Sequence, residues 1–114
     1  MKILRVTIVL AAVLAASVTV TALAADLGNP TDVKQVRTVV GSKFGKILNV
    51  SVSRDWALCT AYSQTDESDL SVVLHRTGTS WKVKQSDGGA FDKTTLKPLG
   101  IPDADIVQLL RVYQ

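Results

Sequence analysis

The single cysteine and the single histidine of this 114-residue chain, Cys59 and His75, are the side chains best suited to covalent chemistry. A histidine within hydrogen-bond reach of a thiol takes up its proton, and the resulting thiolate is a nucleophile. The two residues are well separated along the chain, so only strand pairing can bring them together. Whether they form a site therefore depends on the elements that carry them.

Four segments in the middle of the chain alternate between heavier apolar and lighter residues, the pattern of strands. The heavier residues are Leu48, Val50 and Val52, then Trp56, Leu58 and Tyr62, then Leu70, Val72 and Leu74, and finally Trp81 and Val83. Short polar breaks at 54–55, 65–68 and 78–79 separate the segments. Connections this short join antiparallel neighbours, so we predict a four-stranded antiparallel meander.

Amphipathic helices are predicted on both sides of this meander. Asn29 and Pro30 provide the chemistry of a helix start, and the apolar spacing predicts a helix over 31–43. A second helix begins after Pro102 and places Ile106, Leu109, Leu110 and Tyr113 on one face. We expect an α+β fold with an N-terminal helix, the meander and a C-terminal helix, both helices lying on the heavier face of the sheet.

This arrangement resembles, at the level of topology only, cystatin-like folds, in which a helix packs on an antiparallel sheet. No cystatin motif is present in the sequence. The resemblance therefore implies an architecture and no inhibitory residues.

The heavier residues also predict the strand register, because the heavy faces of neighbouring strands must lie on the same side of the sheet. Loops at 53–55 and 66–68 satisfy this condition, and Gly78-Thr79 suits a two-residue turn with glycine first. We therefore expect a transverse row on the lighter face of the sheet, which either meets solvent or receives something laid across it. Its members are Asn49, Cys59, His75 and Lys82.

The predicted row lacks the surroundings that thiol catalysis needs. Cys59 is expected in the middle of a strand instead of at a helix N-terminus, and its neighbours suggest no oxyanion hole. Lys82 would favour a thiolate but would disfavour an imidazolium on His75. We interpret both residues as sheet residues and predict no catalytic site.

The sequence also predicts no metal and no cofactor. One histidine and one cysteine cannot complete a tetrahedral zinc site by themselves. The acidic segment 66–69 lacks the glycine and the ligand spacing of a calcium loop. Asp87-Gly88-Gly89 lacks the other residues of a P-loop or a dinucleotide fingerprint.

Two further features concern aromatic side chains. Trp56 and Trp81 are both expected on the heavier face, and we interpret them as core residues. The connection 90–102 is long for a small domain, and long loops often serve recognition. Phe91 within it therefore joins Asn49, Cys59, His75 and Lys82 as a candidate binding-surface residue.

The N-terminal residues have the organisation of a secretory signal peptide. Lys2 and Arg5 precede an apolar stretch over 6–16, and Ala22-Leu23-Ala24 has the small residues that a signal peptidase requires. We predict cleavage after Ala24, which leaves residues 25–114 as one small domain. An uncleaved anchor is the alternative, because 6–25 contains no charge.

Removal of the leader changes the charge balance. It takes away two of the 13 basic residues and none of the ten acidic residues, which lowers the formal net charge from +3 to +1. A domain of this charge without a Lys/Arg run offers no surface to nucleic acid. No cysteine lies near the predicted cleavage site, so we expect no lipid anchor. A single cysteine forms no intrachain disulfide. We expect a periplasmic or secreted, bacterial product that does not insert into the membrane.

These features predict an exported small binding or inhibitor module without catalytic activity, whose partner is an extracytoplasmic protein. Two alternatives from other classes stay open. One is a small thiol enzyme that uses Cys59 and His75. The other is a self-associating structural envelope protein that uses an exposed edge strand or an intermolecular Cys59 disulfide.

Overall fold

A five-stranded mixed sheet forms the middle layer of the molecule. The computed structural model describes residues 26–63, 65 and 67–114, so the predicted signal peptide lies outside the described residues. The strands follow each other in chain order across the sheet. They are β1 (Asp26–Leu27), β2 (Lys46–Ser53), β3 (Trp56–Ser63), β4 (Ser68–Thr77) and β5 (Ser80–Asp87). Strand β1 is parallel to β2, and all other neighbours are antiparallel.

Helices precede and follow the four antiparallel strands. Helix α1 (Pro30–Phe44) connects β1 to β2, and the Asn29 side chain caps its first turn. After β5 come α2 (Lys93–Leu96), a 3-10 helix (Lys97–Leu99), α3 (Asp103–Leu109) and a C-terminal 3-10 helix (Leu110–Tyr113). None of the helices in the described part of the chain is long and apolar enough to cross a membrane.

Apolar layers cover both faces of the sheet. On one face, here called the α1 face, Val33, Val36 and Val40 of the helix pack on the sheet residues Val50, Cys59, Ala61, Val72, Leu74 and Trp81. On the other, here called the α3 face, Trp56, Leu58 and Val73 pack against Phe91, Leu96, Ile106, Leu109 and Val112. The expected α+β class is confirmed, whereas the expected arrangement of four antiparallel strands with both helices on one face is wrong.

Burial on both faces explains this error. Residues 57–59 and 72–74 of the central strands are completely inaccessible to solvent, so these strands have no lighter, solvent-facing side. The two tryptophans lie on opposite faces, with Trp56 on the α3 face and Trp81 on the α1 face. The connection 90–102 contains α2 and a 3-10 helix, and Phe91 and Leu96 within it are core residues.

The carboxylate of Asp26 holds the short strand β1 against β2. Asp26 accepts a hydrogen bond from the Val50 backbone N–H at 3.0 Å and two from the Arg37 guanidinium at 2.8 and 3.0 Å. Beyond β1 the chain passes so close to β2 that a Cβ atom on Gly28 would lie 2.6 Å from the Val52 carbonyl oxygen. The approach of β1 to the sheet therefore requires a glycine at this position.

Substitution of Gly28 by alanine tests this approach, with Gly78 as the matched control. Both glycines have a positive φ, but a Cβ atom at Gly78 would meet nothing within 4 Å. We expect Gly78→Ala to lower the free energy of unfolding by about 1 kcal/mol through backbone strain alone. Gly28→Ala adds a steric clash and should cost about 3 kcal/mol or more in urea denaturation. Equal losses for the two variants would contradict the close packing of β1.

Alternate polar residues of β2 hold the C-terminal helices against the sheet. Asn49 Nδ2 donates to the Val112 carbonyl at 2.9 Å, and Ser51 Oγ donates to the Gln108 carbonyl at 2.9 Å. Ser53 Oγ donates to Asp105 Oδ1 at 2.6 Å. We call Asn49, Ser51 and Ser53 the β2 ladder. The polar face of this strand thus receives the C-terminal helices, and Ser51 in its middle is buried.

An arginine in the β2–β3 turn binds the same aspartate as Ser53, the last residue of the β2 ladder. Arg54 has φ 51 in the β2–β3 turn and binds the carboxylate of Asp105 through Nε at 2.9 Å and Nη2 at 2.6 Å. Asp105 is only 2% exposed. The hydrogen bonds from Arg54 and Ser53 hold the pKa of Asp105 below its ordinary value, although its burial acts in the opposite direction.

This depressed pKa predicts how stability depends on pH. The ionised carboxylate stabilises the folded state above the pKa of the unfolded chain, about 4, and this contribution is lost as pH falls through the lower folded pKa. We expect Asp105→Asn to lower the free energy of unfolding at neutral pH by about 1–3 kcal/mol. Its stability should also change less than that of the wild type between about pH 4 and pH 2.

The exposed Asp103 on the same helix, paired with Lys97, provides the control. Asp103→Asn should change the free energy of unfolding by no more than about 0.5 kcal/mol. If Asp105→Asn kept the acid dependence of the wild type, the carboxylate of Asp105 would not be its source.

Candidate functional site

The strand register differs from the predicted one in two of the three hairpins. Cys59 lies opposite Val50 and Val72, and not opposite Asn49 and His75. The third hairpin is as predicted, with a turn at Gly78-Thr79 and His75 opposite Lys82. The prediction that Asn49, Cys59, His75 and Lys82 form a transverse row is therefore wrong. Only its last pair, His75 opposite Lys82, is confirmed.

The turns and the faces of the strands explain the difference. The β2–β3 turn contains only Arg54 and Asp55, and the β3–β4 pairing ends at Ser63 opposite Ser68. Both hairpins are therefore shifted by an odd number of residues from the predicted register. An odd shift moves every side chain of one strand to the other face relative to its neighbour.

The five sequence-predicted site residues lie in different places. Cys59 is fully buried on the α1 face, and this burial raises the pKa of its thiol to about 12. His75 stacks on Trp56 with a ring-centroid distance of 4.1 Å, whereas Lys82 is exposed on the edge strand. Asn49 belongs to the β2 ladder, and Phe91 is a core residue that is 4% exposed. The structure brings together only His75 and Lys82.

The true register forms another row of polar residues across the α3 face. Asn49 lies opposite Thr60, Thr60 opposite Ser71, and Ser71 opposite Asp87. We call these four residues the polar row. Of these four residues, only Asn49 is among the binding-surface residues that the sequence predicts.

The C-terminal residues Val112 and Tyr113 cover this row, and we call them the C-terminal roof. Val112 accepts the hydrogen bond from Asn49, and the Tyr113 hydroxyl lies 2.7 Å from Ser71 Oγ. The Phe91 backbone N–H donates to the same Tyr113 hydroxyl at 2.9 Å. Asn49, Ser71 and Phe91, from three separate segments of the chain, therefore all bond to the C-terminal residues that cover the polar row.

Beside the roof, the polar row opens into a cavity of about 220 Å³. Its walls are Thr60, Asp69, Ser71, Tyr113 and the segment 88–90, and we call it the Thr60 pocket. The cavity exists because the pairing of β5 with β4 ends at Ser71 and Asp87, while β4 extends back to Ser68. Gly88 and Gly89 then carry the chain away and have no side chains to fill the space.

Two oxygen atoms in this region lack hydrogen-bond partners. Thr60 Oγ1 and Asn49 Oδ1 are both buried, and neither has a partner among the described residues. A buried polar atom without a partner costs about 1–3 kcal/mol, so native proteins retain few of them. The polar row thus combines a hydrogen-bonded frame, a cavity and unused hydrogen-bonding capacity. That combination is suited to holding a polar guest group.

Comparisons with known proteins gave no match. No family model, no curated protein and no solved structure is significantly similar to the chain.

Thr60→Val tests whether the hydroxyl is without a partner, because valine has nearly the same shape and no polar atom. We expect this variant to raise the free energy of unfolding by about 1 kcal/mol. Ser71→Ala removes a hydroxyl that is bonded to Tyr113, and it should lower the same quantity by about 1 kcal/mol in urea denaturation. If Thr60→Val destabilised the protein as much as Ser71→Ala, the Thr60 hydroxyl would have a partner.

Proposed function

We propose that the protein is an exported, non-catalytic binding module whose Thr60 pocket receives a polar group of a ligand or partner. The observation that carries this proposal is the buried, unpartnered hydroxyl of Thr60, a residue that lines a cavity and whose hydroxyl can move to the cavity by rotation about χ1. The folded chain retains this unfavourable group, and sites that sacrifice stability in this way are commonly functional. Export rests on the signal-peptide pattern of residues 1–24.

The size of the pocket supports a small guest group. Cavities that enclose drug-sized ligands or cofactors usually have about 300–1,000 Å³, whereas this one has about 220 Å³. A volume of this kind suits one side chain or the end of an extended ligand. The frame around it is held by Asn49 and Ser71 through the roof, so binding requires little reorganisation of the site.

The geometry gives less support to the thiol-enzyme alternative. Catalysis would need a thiolate at Cys59 and a base in contact with it. Burial raises the pKa of Cys59 to about 12, and the residue opposite it on β4 is Val72. His75 lies opposite Trp56 instead.

Self-association through the edge strand is also less well supported. The exposed edge strand β5 carries Lys82 and Lys84, and its register with β4 shifts between Val73 and Leu74. Lysines and bulges on an edge strand oppose pairing with another chain. A disulfide between two copies through Cys59 would require the buried thiol to become exposed.

A panel of compounds that share a four-carbon chain tests the proposal: n-butylammonium, n-butanol, butyramide and butyrate. We expect at least one of them to cause saturable chemical-shift changes at the amides of 88–90 in ¹H–¹⁵N spectra of the exported protein. A fragment of this size should bind with a Kd of about 1 mM or weaker. Thr60→Val should weaken this binding, because the hydroxyl then no longer contacts the guest.

Thr38→Val on the exposed surface of α1 provides the control variant, since its hydroxyl bonds only to the Lys34 carbonyl of its own helix. Binding by this variant should equal that of the wild type. If no compound in the panel shifted the pocket amides, or if both threonine variants behaved alike, the proposed site would be wrong.

A further inference from the structure

We infer that the group held in the Thr60 pocket is a primary ammonium on an alkyl chain. This inference rests on the proposed function and adds the chemical class of the guest. The charges of the pocket provide the first argument. Asp69 is the one charged side chain among the described lining residues, and no ion pair or side-chain hydrogen bond engages it within the described residues.

A second carboxylate lies next to the pocket. Asp87 is opposite Ser71 at the end of the polar row, and its Oδ1 accepts the backbone N–H of Gly88 at 2.7 Å. Asp69 lies two residues before Ser71 on β4, and Asp87 lies beside Ser71 on β5, so both carboxylates are on the same face next to Ser71. Two carboxylates near one small cavity repel an anionic guest and attract a cationic one.

The hydrogen-bonding groups of the walls provide the second argument. An ionised carboxylate only accepts hydrogen bonds, and the Tyr113 hydroxyl is already engaged by Phe91 and Ser71. Thr60 Oγ1 has no partner, and a rotation of χ1 to another staggered rotamer moves this hydroxyl to the position that the methyl group or the hydrogen on Cβ now occupies. The hydroxyl groups of the walls both donate and accept, whereas the carboxylate of Asp69 supplies acceptors only. An alkylammonium, with three donors and a positive charge, complements this carboxylate better than an amide, an alcohol or a carboxylate.

The volume restricts the shape of the guest. A cavity of about 220 Å³ has room for several water-sized groups, each of which occupies about 30 Å³ in the liquid. An ammonium with a short methylene chain fits this space. The same chemistry is found in the lysine side chain of a partner protein and in free alkylamines.

The closing experiment compares n-butylammonium with n-butyltrimethylammonium, n-butanol, butyramide and butyrate by the same chemical-shift titration. The trimethyl compound keeps the positive charge but has no N–H donors. We expect n-butylammonium to bind about threefold or more tightly than every other compound. Its affinity should fall when NaCl is raised from about 20 mM to about 500 mM, because salt screens the contribution of Asp69.

Asp69→Asn should weaken n-butylammonium binding about two- to fivefold. The exposed Asp103→Asn, at the start of α3, should leave it unchanged. Thermal unfolding of both variants establishes that they fold.

The outcomes separate this inference from the proposed function. If any other compound, n-butyltrimethylammonium included, bound as tightly as n-butylammonium, or if Asp69→Asn bound it as well as the wild type, the inference of a primary ammonium would be overturned while the pocket remained a binding site. If no compound bound, the proposed function itself would fail. Tighter binding of Nα-acetyl-lysine methylamide than of 1,4-diaminobutane would assign the ammonium to a partner's lysine, and the reverse order would assign it to a free amine.

Discussion

Three hydrogen bonds from the β2 ladder to the C-terminal helices determine how the rest of the molecule is arranged. Asn49, Ser51 and Ser53 alternate along β2, and their partners are Val112, Gln108 and Asp105. The two-residue repeat of a strand is thereby matched to the three- to four-residue repeat of a helix. The C-terminal helices thereby cover the α3 face, and α1 covers the opposite face.

Covering both faces changes the energetic role of every polar residue in the central strands. In a sheet with one open face, Thr60 and Ser71 would meet water and cost nothing. Under the C-terminal roof, each needs a partner within the protein, because desolvation is not otherwise compensated. Ser71 obtains one from Tyr113, and Thr60 does not. The apolar packing on both faces supplies the stability that lets the fold retain such a group.

The sequence allowed the strands and the last hairpin to be predicted, because alternation and a Gly-Thr turn are local signals. The prediction of which sheet face is buried was wrong. Ala57, Cys59 and Ala61 are small and therefore look like residues of a lighter, solvent-facing side, although all three lie in the core on the α1 face. Small residues there allow α1 to approach the sheet closely. Strand β1 has only two residues, too few for any periodic pattern, and its position depends on Asp26 contacts distant in sequence.

The candidate site was beyond prediction for a related reason. The polar row requires the pairs Asn49–Thr60, Thr60–Ser71 and Ser71–Asp87 at once, and a shift of one residue in either of the first two hairpins separates them. The cavity also depends on unequal strand lengths. Strand β4 begins at Ser68, three residues before Ser71, which is its first residue paired with β5. Neither quantity has a local signature in the chain. What the sequence does contain is an inconsistency: polar side chains in strands whose other residues are buried. Once the register is known, that inconsistency is concentrated at one end of one face, and this concentration distinguishes the candidate site from ordinary variation in a solvated surface.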